Sequence, residues 1–127
     1  MPLLLLVEDQ EDIRTALADI LSCEGYAVCE AANRSEGLAL LRAQKPDLAI
    51  IDYSLPKPAD GTEFLRIKAS EPELASIPVI LTSGFNLPSK MDGVVAMVTK
   101  PFDLDEILAL IRHYAGPPEP RRRSTTA

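Results

Sequence analysis

The chain has 127 residues, of which 46% are hydrophobic and 25% charged, and a formal net charge of −6. That is one domain of ordinary soluble composition, large enough to bury a core without a metal or disulfide staple, and no apolar run nears the roughly 20 residues of a membrane span. Residues 117–127 set Glu119 against Arg121, Arg122 and Arg123, so the remainder carries −8; an acidic body repels nucleic acid, which argues against direct DNA binding.

In chain order, residues 3–7 are continuously apolar and are followed at once by acids. They read as a strand covered on both faces, not a signal peptide. Ile13, Leu17, Ile20, Leu21 and Glu24 then recur at helical spacing and stop at Gly25, a helix-ending residue. Residues 26–30 are β-prone. Asn33 or Ser35 caps a second helix with Leu38 and Leu41 inward, ending near Lys45 and Pro46. Residues 48–51 form another two-sided strand, closed by Asp52, and a turn-rich loop follows to Gly61. Phe64, Leu65 and Ile67 suggest a third helix over about 62–70. Residues 78–82 are a fourth strand, with proline at its first position, and 94–98 a fifth. Asp103 caps a last amphipathic helix, with Ile107, Leu108, Leu110, Ile111 and Tyr114 inward, ending at Gly116. The Pro- and Arg-rich residues 117–127 are expected to be a disordered tail after a folded domain of residues 1–116. Cys23 and Cys29 have no metal spacing and read as reduced packing residues of a cytoplasmic protein. His113, near the last helix's end, reads as a surface residue favoured by the helix dipole.

Strands alternate with helices throughout, which predicts a parallel sheet with helices on both faces. Such sheets bind ligands beyond the carboxyl ends of their strands. The first strand ends at Glu8 and Asp9, the third at Asp52, the fourth at Thr82 and Ser83, and the fifth leads into Lys100. Each residue alone has a plainer reading: a helix cap, a turn residue, a solvated lysine. Their coincidence at four ends of one sheet is what points to a site. A like-charge carboxylate pair 4 Å apart costs about 4 kcal/mol at an effective dielectric near 20. Lys100 offsets part of this, and an oxygen-only site suits Mg2+ for the rest. Such a set also holds a phosphoryl group: Asp52 is the candidate nucleophile forming an acyl phosphate, with Lys100 and Ser83 on the phosphoryl oxygens.

Glu8-Asp9, Asp52, Ser83-Gly84 and Lys100-Pro101-Phe102 together resemble the receiver domain of bacterial two-component response regulators, over about residues 2–116. The resemblance implies a flavodoxin-like, doubly wound (βα)5 fold with strand order 2-1-3-4-5. It implies Asp52 as phosphoacceptor, and Mg2+ held by Asp9, Asp52 and the Ser54 main-chain carbonyl with Glu8 acting through water. Ser83, five residues beyond Pro78, matches the switch hydroxyl, Lys100 the phosphate-binding lysine, and the Lys100–Pro101 bond is expected to be cis. The implied partners are a histidine kinase or a histidine phosphotransfer protein; the domain is a monomer or weak dimer, with no direct nucleic-acid or membrane partner. It is not an enzyme beyond its own phosphorylation and dephosphorylation.

Three departures stand out. Met97 occupies the position, three residues before the lysine, where the family places a switching aromatic. The stretch from Ser83 to Lys100 is short, so the fourth helix of the (βα)5 pattern is expected to be short or absent. The loop after Asp52 has one residue more than usual, which looks like receivers of hybrid histidine kinases and some stand-alone regulators. The alternative function is a receiver-like interaction module that is not phosphorylated. A Mg2+-dependent phosphohydrolase is disfavoured, because the position two residues after Asp52, where a proton-transferring acid is needed, is Ser54.

Overall fold

The structure is a computed structural model, describing residues 2–53, 58–84, 93–101 and 103–118, the side chains of 58–61 excepted. The elements run β1 (Leu3–Val7), α1 (Glu11–Cys23), β2 (Ala27–Ala31), α2 (Arg34–Gln44), β3 (Leu48–Asp52), α3 (Pro58–Ser70), α4 (Pro72–Ala75), β4 (Val79–Ser83), β5 (Val94–Thr99) and α5 (Leu104–Ala115). The five strands form one sheet in the order 2-1-3-4-5, and every pair is parallel.

Side chains alternate across a strand, and here that alternation divides the interior in two. Leu5, Val7, Ala49, Ile51, Val79 and Leu81 face a core closed by α2, α3 and α4 through Leu38, Leu41, Phe64 and Leu74. Leu4, Leu6, Leu48, Ile50, Ile80 and Val98 face a second core closed by α1 and α5 through Leu17, Leu21, Ile107 and Ile111. Strands β3 and β4 are buried at every position, which is why they read as unbroken apolar runs. The edge strands β2 and β5 are only partly covered.

Local chemistry sets the helix ends. Asn33, not Ser35, caps α2: its Oδ1 accepts from the Glu36 amide at 2.9 Å, while Glu36 Oε1 accepts from the Ala32 amide at 2.8 Å. This reciprocal arrangement satisfies two donors that the first turn cannot. Asp103 caps α5 by accepting from the Asp105 amide. Gly25 ends the turn after α1 at φ 101°, a conformation that disfavours a Cβ.

Several expectations need correction. Helix α3 begins at Pro58, not near residue 62; proline suits the first helical turn, where its missing N–H has no intrahelical role. The single-turn α4 was not foreseen, and it too opens on proline. Strand β4 begins at Val79, although Pro78 still lends its carbonyl to the Ala49 amide. On α1, Ile20 lies at the margin of the apolar stripe, 36% exposed, and Tyr114 of α5 is 37% exposed, its hydroxyl on the Val95 carbonyl, while Leu110 is half-buried. Cys29 packs against the first core, but Cys23 is exposed and is not a packing residue; both are thiols rather than disulfides. His113 is exposed, its ring edge-on to Tyr114. The expectations for Ser54, for a shortened helix over 85–92, for Phe102 and for the tail from 119 onward lie outside the described residues. No helix among the described residues is long and apolar enough to cross a membrane.

Candidate functional site

The strand registers place the site. Val7 pairs with Ile51, Asp52 with Thr82, and Ser83 with Thr99. The residues directly after β1 and β5, Glu8 and Lys100, and the last residues of β3 and β4, Asp52 and Ser83, therefore meet at the carboxyl edge of the sheet. Glu8 extends the β1–β2 ladder by donating its amide to the Ala31 carbonyl at 3.0 Å, and the Lys100 amide donates to the Ser83 carbonyl at 2.7 Å. These main-chain bonds fix both side chains at their roots.

Glu8, Asp9 and Asp52 each offer a carboxylate oxygen within 4.8 Å of the others. Glu8 and Asp52 are buried, each only 3% exposed, and Asp9 is the member most open to solvent. Lys100 reaches in from β5: its Nζ donates to Glu8 Oε1 at 2.8 Å and to Asp52 Oδ2 at 3.3 Å. The second oxygen of Glu8 accepts from the Gln10 amide at 3.2 Å, and Arg14 donates to the Glu8 carbonyl at 3.0 Å, holding the turn into α1. Ser83 and Thr82 are fully buried at the end of β4, and the Thr82 carbonyl accepts the Tyr53 amide at 2.8 Å. The Lys100–Pro101 peptide is cis. Met97 is half-buried and packs against the core under α2 and α3.

Charge and burial compete in this cluster. Burial pushes the Glu8 carboxyl above its ordinary value; the Lys100 hydrogen bond opposes this and the Asp52 charge adds to it. For Lys100, burial alone would lower the ammonium pKa, but the Glu8 hydrogen bond and the charges of Asp52 and Glu8 outweigh it and raise it. Three carboxylates against one ammonium leave an excess of negative charge in a partly desolvated rim. Oxygen donors spaced this closely fit a small hard dication.

One buried polar residue escaped the sequence reading. Lys68 of α3 is 2% exposed, and its Nζ donates only 3.2 Å across to the Ala75 carbonyl at the end of α4. The signal was present: Lys68 falls four residues after Phe64 and three after Leu65, on the stripe that faces the core.

A five-stranded parallel sheet with an acidic triad and a lysine at its carboxyl edge defines a class of phosphoryl-accepting signalling domains. The chain belongs to the response regulator receiver domain family, whose pattern matches residues 4–112. It is similar to sporulation initiation phosphotransferase F of Bacillus subtilis, with 34% identity over 116 residues, covering 87% of this chain and 91% of that protein. It is 44% identical over 98 residues to the transcriptional regulatory protein AfsQ1 of Streptomyces coelicolor, of which it spans 40%. Among solved structures, the chemotaxis response regulator CheY4 of Vibrio cholerae superimposes with a TM-score of 0.79 at 25% identity, covering 90% of this chain and 98% of that one. Receiver domains are signalling proteins rather than enzymes acting on a separate substrate.

Proposed function

We propose that Asp52 accepts a phosphoryl group from a phosphohistidine on a histidine kinase or histidine phosphotransfer protein. The observation that carries this reading is the Lys100 ammonium bridging Glu8 and Asp52 within a cluster completed by Asp9. An Asp52 carboxylate oxygen bonds to phosphorus while the phosphorus–nitrogen bond breaks, and the electron pair leaves with the imidazole, giving an aspartyl phosphate and a neutral histidine. The incoming phosphoryl oxygens displace part of the contact between Lys100 and Asp52, so Lys100 passes from a carboxylate partner to a phosphoryl partner without leaving the rim. Ser83, at the end of the neighbouring strand, donates its hydroxyl to another of those oxygens.

The three carboxylates of Glu8, Asp9 and Asp52 fit Mg2+; Asp9 and Asp52 would hold it, with Glu8 through water and with the carbonyl of Ser54, which lies outside the described residues. When bound, the ion neutralises charge on the transferring oxygens. Glu8 is then a spacer as much as a ligand, since its other role is to hold Lys100. The resulting change in charge shifts a balance between rim conformations and alters a protein contact. The receiver domain spans residues 1–116, works in the cytoplasm as a monomer or weak dimer, and catalyses no more than its own phosphorylation and dephosphorylation. The relative named as a phosphotransferase supports a place inside a relay.

The test is incubation with acetyl phosphate and Mg2+, followed by intact mass measurement. The wild type is expected to gain one phosphoryl group that is lost on treatment with hydroxylamine, as an acyl phosphate must be. Asp52→Asn is expected to gain none. Undiminished, hydroxylamine-stable labelling of Asp52→Asn would overturn the assignment.

A further inference from the structure

The three carboxylates of the rim are not held alike. Glu8 accepts from Lys100 through one oxygen and from the Gln10 amide through the other, and Asp52 accepts from Lys100. Among the described residues, none donates to the Asp9 carboxylate. Its aim is therefore set by the main chain of the turn between β1 and α1, residues 8–10. That turn lacks the usual support: Gln10 is the N-cap of α1, and its side chain makes no capping hydrogen bond.

Arg14 supplies that support. It is the fourth residue of α1, where the positive end of the helix disfavours a cation, so helix physics alone does not place it there. Its Nη1 donates to the Glu8 carbonyl at 3.0 Å, and its Nε lies 3.4 Å from Glu30 Oε1 on β2. The arginine side chain is only 17% exposed, so these contacts are partly sheltered from water. The Glu8 amide donates to the Ala31 carbonyl at the end of the same strand. One guanidinium fork thus spans from the end of β1 to the end of β2. The Glu8 carbonyl and the Asp9 amide belong to one planar peptide unit. Holding that carbonyl fixes the plane from which Asp9 departs.

On the reading of the rim as a Mg2+ and phosphoryl site, on which this role depends, we infer that Arg14 is a positioning residue for Asp9. By holding the Glu8–Asp9 peptide plane it aims the Asp9 carboxylate at the dication, without itself touching the ion or the phosphoryl group. Two effects of Arg14 on a bound cation oppose each other. Its charge repels a dication at the rim, and its hydrogen bond spares the site the cost of ordering Asp9 on binding. The charge is already paired with Glu30, which leaves little net repulsion. Outer-shell support of a metal ligand is worth about 10–100-fold in affinity. Positioning is therefore the larger effect, and losing Arg14 weakens Mg2+ binding; a purely electrostatic role would have the opposite sign.

The test is a Mg2+ titration of the full chain at constant ionic strength, followed through the amide resonances of Asp9 and Asp52. Arg14→Met keeps the apolar stem and removes the fork, and is expected to bind Mg2+ about 10-fold more weakly than the wild type. Arg14→Lys keeps the cation but cannot bridge both partners, and is expected to fall between the two. With acetyl phosphate, Arg14→Met is expected to need correspondingly more Mg2+ for half-maximal phosphorylation, while its rate at saturating Mg2+ stays near that of the wild type. Without Mg2+, amide nitrogen relaxation is expected to show greater mobility at Asp9 in Arg14→Met and no change at Leu6 and Ile51. Mg2+ affinity equal to or tighter than wild type in both variants, whatever their melting temperatures, would overturn the role of Arg14 and leave the phosphoacceptor reading standing. A wild type with no saturable response to Mg2+ would overturn both.

Discussion

Lys68 shows how much one side chain can set against the core around it. Its ammonium is buried with a single neutral carbonyl as described partner, and desolvation lowers its pKa below 10.5. The folded chain therefore releases this proton at lower pH than the unfolded chain does. Between the lowered value and 10.5 the unfolded state holds more protons, so this group's contribution to stability rises with pH; below that window the penalty is present in full. Lys68→Met keeps the stem and discards the charge, at the cost of one hydrogen bond to Ala75. Urea unfolding at pH 7 is expected to find the variant more stable by about 1 kcal/mol, with the difference shrinking towards pH 10. Comparing variant with wild type at each pH removes the opposing contributions of Cys29 and Tyr26, whose pKa values burial raises. A variant several kcal/mol less stable at both pH values would show that the ammonium is an asset. At this scale the rim was legible, because residues immediately after buried strands share one edge whatever the details of the loops. Lys68 was not, because lysine on an amphipathic helix ordinarily points to water. Cys23 and Tyr114 were misplaced for a related reason: apolar periodicity marks a stripe but not its width.

Helix α2 approaches the sheet more closely than a side chain permits. A Cβ built on Gly37 would stand 2.9 Å from Phe64 Cε2 and 3.0 Å from Val7 Cγ2. Alanine in a helix interior ordinarily gains about 1 kcal/mol over glycine. Here both obstructing side chains are fully buried, and overpacking a rigid core costs about 1–3 kcal/mol. The steric cost offsets the propensity gain or exceeds it, and Gly37→Ala is expected to lower stability by up to about 2 kcal/mol in denaturant unfolding. An increase would mean that Phe64 has room to turn. The cap of the same helix gives an independent measurement: Asn33→Ala is expected to cost about 1 kcal/mol, with Glu36 left holding only the Ala32 amide. Elements with one strong period, such as α1, α5 and the central strands, were readable from the residues. Helix α3 was not placed at its start, because proline, aspartate and glycine serve a loop and a first helical turn equally well. Helix α4 is a single turn, too short to carry any period, and it exists because Leu74 has a place in the core under α3.

The whole molecule carries a surplus of negative charge, −6 over the chain, and concentrates it where three carboxylates share 4.8 Å. Lys100 brings a single positive charge to all three, bridging two of them with its Nζ nearer Glu8 than Asp52. Two effects of added salt must then be distinguished. Screening acts on every exposed pair and depends only on ionic strength. Site binding of the kind proposed would depend on the dication and on Asp52, and would stabilise the folded state by RT ln(1 + [Mg2+]/Kd), about 1.4 kcal/mol at ten times the Kd. For a domain of this size that is roughly a 5 °C rise in melting temperature. Mg2+ is therefore expected to raise the melting temperature well beyond NaCl at matched ionic strength, and Asp52→Asn is expected to lose most of that excess. The same substitution, by removing one of the repelling charges, is expected to raise the melting temperature in the absence of Mg2+, because a neutral amide in place of Asp52 relieves Glu8 while Lys100 keeps its shorter bond. Equal responses to Mg2+ and NaCl would leave the rim as a screened acidic patch, with the ammonium of Lys100 as its permanent counterion.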